Sequence, residues 1–383
     1  MISLPYIILI ALLALCAACY EYTDSEKQKN VSTMAAIAIF FFFFAFRGYV
    51  GTDWTNYTAS LENAEWSDFF EWSLDEDKIQ EPGFLLLTLL CKFVYNDYFF
   101  YVFVCIAIDT FLLLRFFQRW KVTNIAFALM VFSTFGGPQL MFNLLRNMIA
   151  LCILLNALEY ITERKPWHYF SLCVLALSFH LSALVFIPLY FFLHFRVNKW
   201  LYLGIFIAVV AFYFSRTSFI MLIANLLGVE GAIGSKVLTY TEYYSSAGSI
   251  RLITMLEHFT LVFFVLLFYD ELIEKSKKQV LLFNSLLIFL VFNYIFSEFL
   301  VLSLRLSLLF YFAYWLLWTD VLNTLYIKNN KRLMFSLFFL YCVSIQIGNF
   351  HEPTMQYDNI LLGHKSYHER MKIFNKTFKE FGK

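Results

Sequence analysis

The chain has 383 residues, of which 61% are hydrophobic and only 15% charged, with 48 Phe and a formal net charge of +1. A soluble domain carries roughly 25% charged residues and a nucleic-acid-binding domain a strongly basic surface, so both classes are excluded. Apolar runs of about 15–22 residues, broken by short polar stretches and lacking period-2 alternation, predict an all-α, polytopic helical membrane protein.

In chain order, spans are expected at 3–19, 31–46, 98–117, 122–135, 141–161, 200–214, 252–269, 280–296, 299–318 and 333–349. That makes about 10–12 transmembrane helices, with one or two re-entrant or interfacial segments. The first run has no basic residue before it, and its "CAAC" ending has Cys16 where a lipoprotein signal has Leu, so an uncleaved helix is expected. Seven cysteines lie mostly inside apolar runs, without Cys/His ligand spacing, so neither metal nor cofactor is expected.

Orientation follows the basic residues of short loops. Arg115, Arg119 and Lys121; Arg164 and Lys165; Arg196 and Lys199; Lys275, Lys277 and Lys278; and Lys328, Lys331 and Arg332 are mutually consistent as cytoplasmic. The 47–81 stretch is acidic apart from Arg47 and Lys78 and belongs outside. Residues 82–95, "PGFLLLTLLCKFVY", are too short to cross, and an interfacial or re-entrant helix there keeps the next basic loop inside. The 167–195 stretch has basic residues on both flanks, so it must rise and return. Eleven residues from Tyr169 to Phe179 climb only ~17 Å of a ~30 Å core, which leaves His180 inside the protein at membrane depth.

Residues 1–349 thus read as one membrane domain, with outer loops at 47–81 and 228–251 and a re-entrant hairpin at 167–195. A polar tail, 350–383, falls outside by the same count although it holds Lys365, Arg370, Lys372, Lys376, Lys379 and Lys383. Either one span is miscounted, or the tail is an amphipathic helix on a leaflet.

A charge at the bilayer centre costs at least ~2.5–3.5 kcal/mol, so the arginines within spans need a reason. Arg146 lies inside the helix after "GGPQL", with Asn143 and Asn147 on its face. Arg305 lies inside "SEFLVLSLRLSLLFYF", two turns from Glu298. Arg47, Arg146, Arg251 and Arg305 are all expected in the outer half of the membrane or at its outer rim. They can snorkel to headgroups or pair with Glu298, Glu81 or Asp53. Together with His180 they also suit a cavity for an anion, because planar guanidinium groups grip phosphate oxygens through paired donors.

Four stretches carry a resemblance. "RGYVGTDWTNY" (from Arg47), "EPGFLLL" (from Glu81), "FNLLRNMIALCILLNAL" (around Arg146) and "LALSFHLSALVFIPLYFF" (around His180) resemble, in this order, the EpsG family of Wzy-like polysaccharide polymerases. The similarity covers roughly residues 35–195; beyond 200 it rests on hydropathy and "SLRLSLLFYF". One departure is that the Arg-Gln of the family is Arg146-Asn147 here, one methylene shorter.

The resemblance implies a metal-independent polymerase of O-antigen, capsule or exopolysaccharide, working at the outer face of a bacterial inner membrane. Donor and acceptor would both be oligosaccharides on undecaprenyl pyrophosphate. A chain-length regulator and a flippase of the same pathway, besides membrane lipid, would be its partners, and no nucleic acid would be. In that reading His180, Asp53, Arg146 and Arg305 carry catalysis, with either His180 or Asp53 as base. Arg47, Tyr57, Glu81, Asn147, Arg251 and Glu298 bind substrate. Tyr49, Trp54, Trp66 and Trp72, with Tyr240, Tyr243 and Tyr244, fit sugar stacking or an interfacial belt equally. The rival classes are a flippase of lipid-linked oligosaccharide, a membrane O-acyltransferase and a structural assembly subunit.

Overall fold

The computed structural model describes residues 2–72, 80–215, 250–297 and 300–381. Glu298, Lys78 and most of the expected outer loop 228–251, with Tyr240, Tyr243 and Tyr244, lie outside the described residues. Every element among the described residues is helical, apart from isolated bridges. In order they are α1 (Leu4–Tyr22), α2 (Glu26–Ala45), α3 (Trp54–Asn63), α4 (Trp66–Phe70), α5 (Pro82–Val94), α6 (Tyr98–Arg119), α7 (Ile125–Thr134), α8 (Gly137–Asn143), α9 (Leu145–Ala157), α10 (Glu159–Thr162) and α11 (Pro166–Leu177). A 3-10 helix (Leu181–Phe186) and α12 (Leu189–Phe192) follow. Then come α13 (Lys199–Phe214), α14 (Leu252–Leu267), α15 (Tyr269–Lys275), α16 (Lys277–Ile295), α17 (Leu300–Leu308), α18 (Phe312–Thr324), α19 (Lys328–Asn349) and α20 (Tyr367–Phe381).

Among the described residues, six helices are long and apolar enough to cross a membrane, and eight if α7–α8 and α14–α15, bent by 69° and 70°, each count as one span. The chain is a multi-pass helical membrane protein. Local chemistry sets the helix starts. Ser25, Asp97 and Asn124 cap α2, α6 and α7 by accepting from backbone N–H groups in the first turn. Prolines open α5, α8 and α11, where their missing N–H costs nothing. Gly136, at φ +80°, stands just before α8 and permits the sharp bend from α7 into it.

The chain divides into two compact units, residues 1–190 with 326–383, and residues 191–325. In the second unit, ion pairs Lys199–Asp270 (2.9 Å) and Lys275–Asp320 (2.5 Å) tie α13, α15 and α18, and Asn284 on α16 donates to the carbonyls of Leu193 and Phe195.

The first unit has two distinct ends. At one, Lys331 pairs with Glu21, Arg332 lies over the Tyr22 ring (5.0 Å), Arg119 pairs with Glu159 (3.6 Å), and Asn124 donates to the Ala17 carbonyl (3.0 Å). These loops are the ones that the basic residues assign to the cytoplasm. At the opposite end the C-terminal tail lies on the loop that follows α2. Ile360 N–H donates to Phe46 O (2.8 Å), Gly48 N–H to Asp358 O (2.9 Å), Gly51 N–H to Thr354 O (3.0 Å), and the Tyr357 hydroxyl to Phe43 O (2.9 Å). Tyr6, near the start of α1, donates to Met355 O (2.7 Å). Arg370 of α20, 2% exposed, pairs with Asp358 (3.1 Å) and binds the Gln356 carbonyl. The tail therefore shares a face with the 47–54 loop, the side on which the span count also puts it despite its lysines.

The 166–190 stretch doubles back. α11, 12 residues and so ~18 Å long, runs to the turn at His180. The 3-10 helix then returns, so that Tyr169 on the first arm donates to Phe186 O (2.6 Å) and packs on Tyr190 (5.3 Å) on the second. α5, at 13 residues, is likewise shorter than a membrane-crossing helix.

These contacts fix which segments of the first unit share an end. With the exposed Cys19 replaced by Ser, cysteines introduced at the exposed Asn56 and His368 should react with a membrane-impermeant maleimide from the same face, and one at the exposed Asn330 from the other. Labelling of His368→Cys from the Asn330 side would overturn the placement of the tail. Arg370→Leu, which leaves Asp358 buried and uncompensated, should lower stability in detergent by about 3–5 kcal/mol.

Candidate functional site

The site grows out of a break in the backbone. α8 ends at Asn143 and α9 starts at Leu145, with Leu144 non-helical between them at φ −120°, ψ 48°. The sequence places Asn143, Arg146 and Asn147 on one face of one helix; the break turns them toward different partners instead. Each helix end leaves backbone groups without intrahelical partners, and inside a membrane protein these must be satisfied.

Arg47 and Tyr57 satisfy them. Arg47, 0% exposed, lies over the Phe142 ring (5.3 Å) and donates through Nη2 to the carbonyls of Met141 (3.3 Å) and Phe142 (3.5 Å) and through Nη1 to the Tyr98 hydroxyl (3.5 Å). It caps the C-terminus of α8, where a cation also suits the helix dipole. The Tyr57 hydroxyl donates to Asn143 O (3.0 Å) and accepts from Leu145 N–H (3.1 Å), stapling the two sides of the break. Burial pushes the Tyr57 phenol far above its ordinary range, with Arg146 pulling it down and Asp53 pushing it up, so it remains a neutral hydroxyl. Burial, then neighbouring Tyr98, likewise pushes Tyr49 up to about 12.

Asn143 faces the loop after α2. Its Oδ1 accepts from Thr52 N–H (2.8 Å) and Asp53 N–H (3.4 Å), and its Nδ2 donates to Gln139 (3.0 Å). This close approach needs Gly51, which sits at φ +90° and has no room for a side chain against Asn143. Asp53, half-buried, opens α3 and accepts from the Thr52 hydroxyl (3.2 Å).

Arg146 and Asn147, in the first turn of α9, face α5 and the hairpin. Arg146 Nη1 donates to Glu81 Oε2 at 2.8 Å, with the side chains 32% and 12% exposed, and its guanidinium lies 5.9 Å from the Phe84 ring. The other Glu81 oxygen accepts from Leu181 N–H (3.2 Å). Ser182 links the hairpin to α9: its hydroxyl donates to Asn147 Oδ1 (3.0 Å), and its backbone N–H donates to His180 Nδ1 (3.0 Å). Gly83 N–H bonds to Ser178 O (2.7 Å), an approach that a Cβ at Gly83 would obstruct.

Asp53, Tyr57, Glu81, Arg146, Asn147 and His180 are thus joined through shared partners at one end of the first unit. The starts of α3, α5, α9 and the 3-10 helix meet there, presenting a partly exposed arginine amid helix N-termini, an environment suited to an anion. Arg47 stands behind this group, holding the backbone. Arg251, which precedes α14, and Arg305, on α17, are exposed residues of the second unit. Glu298 lies outside the described residues.

Ser182 was concealed in sequence by its ordinary residue type. So was the tail, whose lysines drew attention to its side of the membrane and away from its backbone. Asp109 had a visible signal, being the lone acid within 98–117. It sits in α6, 0% exposed, and neither carboxyl oxygen has a hydrogen-bond partner among the described residues. It lies ~16 Å along that helix from Tyr98 and does not join the site.

A model of the EpsG family matches residues 30–360. No curated protein and no solved structure matches the chain.

The two tight glycines test this geometry. Gly51→Ala and Gly83→Ala should each cost about 1–3 kcal/mol of thermal stability in detergent, from left-handed backbone and steric conflict at the first and steric conflict at the second. Gly204→Ala, mid-helix with open space around it, should leave stability unchanged or raise it by up to about 1 kcal/mol.

Proposed function

The chain belongs to the EpsG family, and from that premise we propose that it is a polysaccharide polymerase acting on lipid-linked oligosaccharides at the outer face of the bacterial inner membrane. It transfers a growing glycan from undecaprenyl pyrophosphate to a hydroxyl of a new lipid-linked repeat. One observation carries the reading: the ionisable residues of four separate stretches meet at a helix break in a multi-pass membrane protein, around a partly exposed Arg146 held by Glu81.

The chemistry suits these groups. As the acceptor hydroxyl attacks the anomeric carbon, the bond to pyrophosphate breaks and negative charge gathers on the departing phosphate. A guanidinium already oriented by a carboxylate meets that charge with little reorganisation. Glu81 orients Arg146, while Asn147 fixes the hairpin through Ser182. Arg47 and Tyr57 bear on the reaction by holding the break that presents Arg146. Asp53 and His180 are the groups in reach of proton chemistry. The reaction asks for fixed cations, and no metal enters it. Arg305 and Arg251 belong to this reading as second-unit contacts to lipid-linked substrate, and a chain-length regulator and flippase as pathway partners.

A flippase is the second reading, favoured by the two bent helices, one in each unit, since transporters build substrate sites on discontinuous helices in matched positions.

Deletion of the gene decides between them. A polymerase-deficient cell should accumulate single lipid-linked repeats on the outer face, whereas accumulation on the cytoplasmic face would establish the flippase. Within the polymerase, Arg146→Lys keeps the charge and loses the planar fork, and polymer should fall at least tenfold at normal protein level. Arg115→Lys, exposed at the other end of the first unit, should leave polymer unchanged. Equal harmlessness of the two would remove Arg146 from the site.

A further inference from the structure

We propose that the turn from Asn359 to Gly363 is a membrane anchor: Leu361 and Leu362 insert into the adjoining leaflet and hold in place the strap, residues 354–360, that lies on the Arg47–Asp53 loop. The turn is built by its own polar groups. Asn359, 2% exposed, accepts from Leu361 N–H through Oδ1 (3.0 Å) and from Leu362 N–H through its carbonyl (3.1 Å). Its Nδ2 donates to the Tyr357 hydroxyl (3.1 Å). An Asn side chain bonded to the backbone two residues on tightens a turn, and Gly363, at φ +114°, completes it. The two residues between are turned outward, Leu361 62% and Leu362 79% exposed.

Their neighbours decide what covers them. α2 is long and apolar enough to cross the membrane, and its exposed residues Val31, Met34, Ala38 and Phe42 recur at helical spacing as a lipid-facing stripe. One turn beyond lies Phe46, whose ring is 5.7 Å from that of Phe42 and whose carbonyl accepts from Ile360 N–H (2.8 Å). On the other side of the turn, the His364 ring lies 4.9 Å from Phe99, in the first turn of the crossing helix α6. The leucines therefore continue the stripe, between the ends of two crossing helices. Depth agrees: from Val31 to Phe46 the chain rises ~22 Å, within a hydrocarbon core of ~30 Å.

Lipid suits this patch better than a helix of a second copy. Helices that associate in a membrane approach through small residues, whereas Phe42, Phe46, Leu361 and Leu362 offer only bulky ones. The amphipathic helix α20 is committed elsewhere: its Tyr367 and Phe374 rings lie on Trp54 (5.3 and 6.2 Å). The tail's hold on the bilayer is thus the turn and not the helix. The strap is then gripped on two sides. Its backbone accepts from Gly48 N–H at Asp358 O (2.9 Å) and from Gly51 N–H at Thr354 O (3.0 Å), while its tip is held by acyl chains.

Two measurements on the full chain in phospholipid vesicles test this, and neither depends on any reaction. With the exposed Cys19 replaced by Ser, a nitroxide is attached at Leu362→Cys, at Met34→Cys on the α2 stripe, or at the exposed His368→Cys on α20. Molecular oxygen concentrates in hydrocarbon and a nickel chelate stays in water. The ratio of oxygen to nickel relaxation at Leu362→Cys should match that at Met34→Cys and exceed that at His368→Cys severalfold. A ratio like that of His368→Cys overturns the proposal, and so does shielding from both reagents, the mark of a second copy covering the turn. The second measurement is amide exchange over residues 46–51. Leu361→Asp combined with Leu362→Asp should speed it roughly tenfold, because the strap loses its outer grip, whereas Met at both positions should leave it unchanged. Unchanged exchange in the Asp pair shows that lipid does not hold the strap and likewise overturns the proposal. Should the Asp pair fail to fold, the nitroxide on the single exposed Leu362→Cys decides.

Discussion

A helix interrupted within a membrane protein must find partners for the backbone groups it exposes, and the break at Leu144 organises the first unit around that demand. The carbonyls that end α8 need donors, and Arg47 brings a guanidinium to them. The two edges of the gap need a group that gives and takes at once, and the Tyr57 hydroxyl does both. Neither residue could be supplied by α8 or α9. Both come from the segment after α2, so that segment is drawn over the break, and the tail is drawn over the segment in turn. The polar chain at this end of the unit is ordered by the needs of a few amide and carbonyl groups.

Charge is handled with the same economy. Arg146 and Glu81 neutralise each other where either alone would be expensive, and Leu181 N–H takes the remaining carboxylate oxygen. The pair remains one-third open on the arginine side, so an incoming anion meets an oriented cation without the cost of desolvating a lone charge. Glu81 thereby joins α5, α9 and the hairpin, and a displacement of any one is felt by the other two. Asp109 shows the contrary solution: a carboxyl closed within α6, with no hydrogen-bond partner among the described residues.

Much of this was legible in sequence, for identifiable reasons. Hydropathy marks the helices of the first unit because lipid enforces a single pattern, and the short arms on either side of His180 betray the returning hairpin through length alone. Within the first unit, the basic residues Arg119, Lys331 and Arg332 and their partners Glu159, Glu21 and Tyr22 lie at the end away from the loop that carries Arg47 and Asp53. The quoted stretches from Arg47 to His180 converge in the first unit. What escaped is what depends on backbone geometry. Nothing in "FNLLRNM" announces that the helix stops at Leu144, so the facing of Asn143 and Asn147 is misread. Composition suggested an amphipathic helix for the tail, and α20 is one, but "EPTMQYDNI" gives no hint that it would bond to residues 43–51. Arg47, from its charge a ligand for anions, is spent on carbonyl groups.

The tail also has a temporal meaning. Ribosomes deliver the chain from its N-terminus, so residues 43–51 reach the membrane long before Thr354, Asp358 and Ile360 exist. Until residues 354–360 have reached the same face, the loop that carries Arg47 and Asp53 lacks the backbone partners that order it. Assembly of this end of the molecule therefore waits on residues 354–360: a polypeptide stalled in α19 holds every group named at the helix break and none of the strap that closes over it.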